Sequence, residues 1–211
     1  FSGIGYTVLA PMILARSGQN SVVFGTVQSM FAVGGVVGGI VMSAWGGFKR
    51  RTHGIISGWV LSGLAMVLIG FGQGLSIWIP AAIFSSVLIP LMNGSNQAIW
   101  QAKVAPDVQG RVFSARRLIA WFAQPISPVI AGTLADFILA PQIRVTSGLS
   151  QIFGTLVGTG PGAGMGLLIV FCGLGSAMIG LSGYFIPAIH NAETALPAHD
   201  QLAKVDAVAV S

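Results

Sequence analysis

The feature that most limits what this chain can fold into is a series of long, uninterrupted apolar runs. They cover residues 1–14, 22–45, 54–71, 77–100, 118–139 and 164–187. The last five are each about long enough for a helix to cross a hydrocarbon core of about 30 Å, at a rise of about 1.5 Å per residue. Strands of a membrane barrel would alternate apolar and polar residues, and these runs do not. The sequence therefore predicts an all-α, polytopic membrane bundle of about six transmembrane helices.

Composition excludes the main soluble classes. Charged residues make up 7% of the chain and hydrophobic residues 54%, whereas a soluble domain carries about 25% charged residues. The net charge of +5 lies in short loops without a basic face, which argues against nucleic-acid binding. The single cysteine, Cys172, cannot form an internal disulfide. With no Cys/His cluster, phosphate loop or catalytic constellation in the sequence, we expect no metal, no cofactor and no enzyme activity.

The basic residues alternate between the two sides of the predicted bundle. One side receives the majority, namely Lys49, Arg50, Arg51, Lys103, Arg111, Arg116 and Arg117. The opposite loops hold Arg16 and Arg144. Because the side rich in Lys and Arg is normally cytoplasmic, residues 46–53 and 101–117 are predicted to face the cytoplasm and residues 15–21 and 140–163 the outside. The expected location is a bacterial inner membrane, with both ends of the chain cytoplasmic.

The two ends of the sequence differ from the middle. The first apolar run would reach only about 21 Å as a helix, and the chain begins with Phe1 and not Met. We therefore expect a piece of a longer protein with a truncated first helix. Residues 1–187 are predicted to form the transmembrane unit, and residues 188–211, rich in alanine and charge, a disordered cytoplasmic tail.

Glycines concentrate in the second helix. Residues 34–39 contain two overlapping GxxxG pairs, a spacing that lets two helices approach closely. A stripe with alternating spacings of three and four predicts one packed face, formed by Gly25, Gln28, Ala32, Gly35 and Gly39. The functional alternative is a face that slides during a transport cycle.

Amide and carboxylate side chains are confined to three of the predicted helices. The second, fourth and fifth helices contain Gln28, Asn93, Asn96, Gln97, Gln124 and Asp136, whereas the third and sixth contain none. Since polar groups in lipid face a bundle interior or a wet cavity, the third and sixth helices are predicted to be outer supports. Gln28, Asn93 and Gln124 are candidates for a substrate cavity, and Asn96, Gln97 and Asp136 are secondary. The alternatives are plain interhelical hydrogen bonding for the amides and, for Asp136, a solvated position instead of proton coupling.

Two segments resemble the major facilitator superfamily. The loop after the second helix has Gly39, Gly46 and the basic cluster Lys49-Arg50-Arg51 at the positions of the family's cytoplasmic loop signature, with Ser43 and Ala44 in place of its Asp and Arg. Residues 93–117, which include Gly110 and Arg111, look like the tenth helix and following loop of its exporter branch, the one that includes enterobactin and macrolide efflux proteins. Residues 134–136 fit the same branch. The resemblance implies helices seven to twelve of a twelve-helix fold.

This resemblance also implies an activity. It indicates a secondary active exporter of a small amphipathic molecule, such as a drug, macrolide, siderophore or natural product, working by alternating access. The implied partners are the lipid bilayer, an N-terminal six-helix half of the same protein, the substrate and protons. Arg111 is expected to hold a cytoplasmic gate by pairing with an acid or a helix C-terminus. The rival interpretation is a membrane scaffold or assembly subunit without transport.

Overall fold

A computed structural model describes residues 2–48, 50–122, 125–134, 156–158 and 160–186. The regular structure in these ranges is helical: α1 Ser2–Arg16, α2 Ser21–Trp45, α3 Arg51–Phe71, α4 Leu75–Lys103, α5 Gln109–Phe122, α6 Ile126–Thr133 and α7 Ala163–Phe185. Four of these helices, α2, α3, α4 and α7, are long and apolar enough to span a bilayer. The prediction of an all-α membrane helix bundle is confirmed.

Local signals set the ends of α2. The side-chain oxygen of Asn20 accepts hydrogen bonds from the backbone N–H groups of Val22 and Val23, at 2.9 and 3.3 Å. At the other end Gly46 adopts the left-handed conformation, with φ of 75°, and its N–H bonds to the carbonyl of Met42. An Asn N-cap and a glycine C-cap satisfy backbone groups that a helix end leaves open. The helix accordingly begins one residue before the predicted run and ends where the run ends.

The fifth apolar run is not one helix in the described residues. The prediction of a single helix over residues 118–139 is wrong at its start, because α5 already begins at Gln109 in the predicted loop. Helix α6 begins at Ile126 with Pro125 as its N-cap residue, and residues 123–124 lie outside the described part of the chain. Proline has no N–H to donate within a helix, which suits it to a helix start, although α4 continues through Pro80 and Pro90. Residues 135–139 lie outside the described part of the chain.

Helices α3 and α7 pack through facing glycines. A Cβ atom added to Gly63 would lie 2.6 Å from the carbonyl oxygen of Gly173, and one added to Gly70 would lie 2.7 Å from that of Gly166. Residue numbers rise along α3 while those of the contacting residues fall along α7, so the two helices are antiparallel. The sides away from this contact expose apolar side chains, among them Leu68 and Met178. Of the four long helices, α3 and α7 are the most buried in the described chain, and their place as outer supports stays a prediction.

Helices α2 and α4 pack through one of the two GxxxG pairs. A Cβ atom added to Gly34 would lie 2.6 Å from the carbonyl oxygen of Ile83. One added to Gly38 would lie 2.3 Å from the carbonyl oxygen of Val87. Residue numbers rise together along both helices at these contacts, so α2 and α4 are parallel. The glycines of the other pair, Gly35 and Gly39, would meet no described atom within 4 Å.

The predicted packed stripe on α2 is therefore wrong for the described chain. Gln28 and Ala32 are exposed, and an added Cβ at Gly25 would meet no described atom within 4 Å. The physical reason is that two neighbouring rows of small residues each permit close approach, and α4 occupies the row that contains Gly34 and Gly38. The Gly25–Gly39 stripe forms an open face beside it.

Helix α1 packs against α6 and α7. Its Met12 and Ile13 are fully buried, as are Leu167 and Ile169 of α7. Together these side chains form part of the apolar core that joins α1 to α7.

Candidate functional site

The open face of α2 carries the first predicted cavity residue. Gln28 is exposed there, and Asn93 is exposed on the neighbouring helix α4. Gly38 and Val87 stand level with each other. Gln28 precedes Gly38 by ten residues and Asn93 follows Val87 by six, which separates them by about 24 Å along the helix axes at about 1.5 Å per residue. The two side chains thus lie near opposite ends of the bundle.

The remaining polar candidates divide by location. Gln97 is exposed one turn after Asn93, so the two amides share a face of α4, while Asn96 is half-buried. Gln124 and Asp136 lie outside the described residues. A cavity with contributions from three helices therefore stays a prediction, and α4 supplies its described polar side at the Arg-rich end.

The loop between α2 and α3 makes a tight turn and leads into a contact with α4. Gly46 and Gly47 both have positive φ, 75° and 87°, which favours glycine. Arg51 begins α3 and donates a hydrogen bond to the Ala98 carbonyl on α4, at 2.8 Å. Arg50 is exposed, and Lys49 lies outside the described residues. Arg51, the last residue of the basic cluster, thus anchors α3 to the end of α4.

The other predicted gate residues lie at the start of α5. Gly110 and Arg111 are both exposed, and a Cβ added to Gly110 would meet no described atom within 4 Å. A role for Arg111 as a gate stays a prediction.

A small, mostly apolar cavity lies inside the bundle. It has a volume of about 130 Å³ and is lined by residues of α1, α3, α4 and α7, including Tyr6, Ser62 and Ser176. The hydroxyl of Ser176 is buried and has no hydrogen-bond partner among the described residues. The rest of the lining is mainly apolar, namely Trp59, Gly63, Met66, Ile89 and Met92, and apolar cavities of about this size can stay dry. This cavity was not predicted from the sequence, because the candidate polar residues were amides and carboxylates, whereas the polar groups here include Ser62 of α3 and Ser176 of α7.

Arg16 forms the other site that the sequence analysis did not find. From the end of α1 its guanidinium donates to the carbonyls of Gly70, at 2.9 Å, and Gly72 at the end of α3. It also donates to the carbonyl of Val157, before α7, at 2.9 Å. Arg16 therefore ties three segments together at the Arg-poor end of the bundle. The available signal was a lone cation at the end of an apolar run, since carbonyls at a helix C-terminus attract cations.

Comparisons with known proteins give distant relatives. The chain is 27% identical over 108 residues to macrolide efflux protein A of Streptococcus pyogenes, a match covering 50% of this chain and 27% of that protein. It is 28% identical over 98 residues to macrolide efflux protein A of Enterococcus faecalis, covering 46% of this chain and 30% of the relative. No family model matches the chain, and no solved structure does.

These matches and the helices agree at a general level. The matched segment spans less than a third of the length of either relative. Four described helices are suited to a bilayer, and the relatives are bacterial proteins named for efflux. The chain is thus a multi-pass bacterial membrane protein, distantly related over about half its length to efflux transporters.

Proposed function

We propose that this chain is the C-terminal six-helix half of a major facilitator superfamily exporter. The whole protein would expel a small amphipathic molecule by alternating access, driven by the proton gradient. The distant relatives named for macrolide efflux support this general class. The finer assignment, to an exporter branch and to the C-terminal half, rests on the sequence resemblance.

The observation that carries the proposal is the unequal use of helix faces. Helices α3 and α7 close on each other through glycines and present apolar side chains outward. Helix α2 packs on α4 with one face and leaves open a second face that carries Gln28, Gly35 and Gly39. An amide on a glycine face is unsuited to lipid and suited to a wet cavity or a closely approaching helix.

A second six-helix half would give this open face its partner. Glycines at Gly35 and Gly39 permit a close backbone approach, and a surface without bulky side chains can slide as two halves rock. In this arrangement Gln28 and Asn93 face the path of the substrate at two different depths. Asp136, on the predicted fifth helix, is the candidate for proton coupling within this half.

The test uses the full-length protein in a bacterium that lacks its own macrolide exporters. Cells are loaded with erythromycin, and its retention is measured with and without a protonophore. We expect expression to lower retention, and the protonophore to remove the difference. Retention equal to that of empty-vector cells, with normal protein in the membrane, would rule out macrolides as substrate. Failure with a broad panel of amphiphiles as well would favour the scaffold interpretation.

A further inference from the structure

A groove between α4 and α5 combines two cations with an amide. Its volume is about 400 Å³, and it is lined by Gln97 of α4 and by Phe113, Arg116, Arg117 and Ala120 of α5. A second groove, of about 350 Å³, shares Arg117 with the first. The rest of its described lining is Ser114, Leu118 and Trp121. A groove with mixed polar and apolar lining and a largely apolar one therefore share Arg117.

Indole rings hold both guanidinium groups. The Arg116 guanidinium carbon lies 5.1 Å from the centroid of the Trp100 ring, and that of Arg117 lies 5.1 Å from the centroid of the Trp121 ring. A cation over an aromatic face is attracted by the ring while its N–H edges stay available to an acceptor. Among the described residues, Asp107 is the only acidic side chain. The described part of the chain therefore supplies little negative charge to balance this end of the bundle.

We propose that these joined grooves bind an anionic amphiphile, with its carboxylate, sulfate or phosphate group between Arg116 and Arg117 and its apolar part along Leu118 and Trp121. A planar guanidinium suits such oxyanions because it donates parallel hydrogen bonds to two oxygens. Gln97 adds an amide donor at the same end. This inference rests on the proposed function, because it names the class of substrate that the exporter accepts from its Arg-rich side.

The test compares two probes that differ only in charge. Full-length protein in nanodiscs of neutral phosphatidylcholine is titrated with 11-(dansylamino)undecanoic acid and with its methyl ester. Saturable energy transfer from tryptophan to the dansyl group reports binding beside Trp100 and Trp121. We expect the acid to bind on the order of tenfold more tightly than the ester, because charge-assisted hydrogen bonds are the stronger ones.

Substitutions locate the effect. Replacing both cations, Arg116→Gln with Arg117→Gln, should weaken acid binding on the order of tenfold and leave the ester unchanged. The matched control is Arg50→Gln, at an exposed cation in a different loop, which should change neither. If the double variant does not fold, Arg117→Gln alone tests the same point at an exposed side chain. Equal binding of acid and ester, or a double variant that binds like the parent, overturns the proposal.

Two further arms separate the possible sources of the anion. If phosphatidylglycerol in the nanodisc displaces the acid, a membrane lipid holds the grooves and the assignment to a substrate is overturned. If the same protein exports erythromycin but does not bind the acid, this inference fails and the proposed function stands. Saturable acid binding without export of either compound would instead remove the proposed function and retain the binding site.

Discussion

Arg16 shows how much one side chain contributes at the residue scale. Its guanidinium bonds to backbone carbonyls of Gly70, Gly72 and Val157, which belong to segments far apart in the sequence. Close approach at Gly166 makes room for it, because an added Cβ there would lie 2.1 Å from an Arg16 nitrogen. Hydrogen bonds to charged groups contribute about 1.5–3 kcal/mol each, more than neutral ones. The side chain thus fixes the relative positions of α1, α3 and α7 at one end.

Replacing Arg16 should therefore destabilise the fold. We expect Arg16→Gln to lower the free energy of unfolding by about 2–3 kcal/mol, because three carbonyls lose their charged donor. Arg16→Lys should recover part of this loss, since an ammonium keeps the charge without the planar fork. Thermal unfolding of the purified full-length protein measures both. Arg50→Gln, at an exposed cation, serves as control, and an unfolding temperature equal to it would contradict the role given to Arg16.

The amides Gln28 and Asn93 are exposed, so their replacement should cost little stability. Interhelical hydrogen bonds in membranes average about 0.6 kcal/mol, and we expect Gln28→Ala and Asn93→Ala to stay within that amount. If the two residues line a substrate path, each substitution should also alter which compounds are exported, while the abundance of the protein in the membrane stays normal. Drug-retention profiles beside immunoblots of the membrane fraction measure this. Lower abundance with an unchanged profile would remove both residues from the site.

Single residues also show where sequence reasoning succeeds and fails. The apolar run 22–45 placed the ends of α2 to within one residue, and Asn20 and Gly46 cap those ends through local hydrogen bonds. The choice between Gly34 and Gly35 as the packed row depends on where α4 lies, which no pattern within α2 contains. Arg116 and Arg117 were used only as loop charges, because the grooves that join them to Gln97 and Trp121 depend on how α4 and α5 meet.

At the scale of elements, the adjacent glycines Gly34 and Gly35 form a matched pair. An added methyl at Gly34 would clash with the Ile83 carbonyl, and one at Gly35 would meet no described atom within 4 Å. We expect Gly34→Ala to destabilise the protein by about 1–3 kcal/mol, the usual cost of overpacking. Gly35→Ala should keep the α2–α4 contact, and helix propensity favours it by up to about 1 kcal/mol.

The same pair tests the open face of α2. If a second half of the protein approaches Gly35 closely, Gly35→Ala should slow export while the α2–α4 contact is preserved. A cross-link between cysteines placed at Val37 and Leu88 reports that contact, beside a transport assay on the same variant. Full export by Gly35→Ala would show that no helix comes close to this face during the cycle.

The orientation of the elements in the membrane is predicted from their loop charges and can be measured directly. Cysteines are placed singly at Gln19, after α1, and at Arg50, before α3, with Cys172 replaced by alanine. The positive-inside rule predicts that a membrane-impermeant maleimide labels position 19 in intact cells and position 50 only after permeabilisation. Labelling of both positions from outside would invalidate the predicted topology, and with it the cytoplasmic placement of Arg111, Arg116 and Arg117.

For the whole molecule, the described helices form two closely packed pairs, α3 with α7 and α2 with α4. The α3–α7 pair buries its glycines and exposes apolar side chains on its other sides, whereas α2 keeps an amide and two glycines uncovered beside α4. The fold class could be predicted from the apolar runs alone, because their length and continuity admit few alternatives. In the proposed exporter the open face meets the second six-helix half, and the sequence could indicate this use only through resemblance.

Proteoliposomes give the most direct test of the proposal that this bundle is one half of a proton-driven exporter. The full-length protein and the 211-residue chain alone are reconstituted separately, a pH gradient is imposed, and erythromycin and a dansyl amphiphile are measured in the lumen over time. We expect uphill accumulation of at least one compound by the full-length protein, abolished when a protonophore collapses the gradient, and none by the chain alone. Uphill transport by the chain alone, or no uphill transport of either compound by the full-length protein, would contradict it.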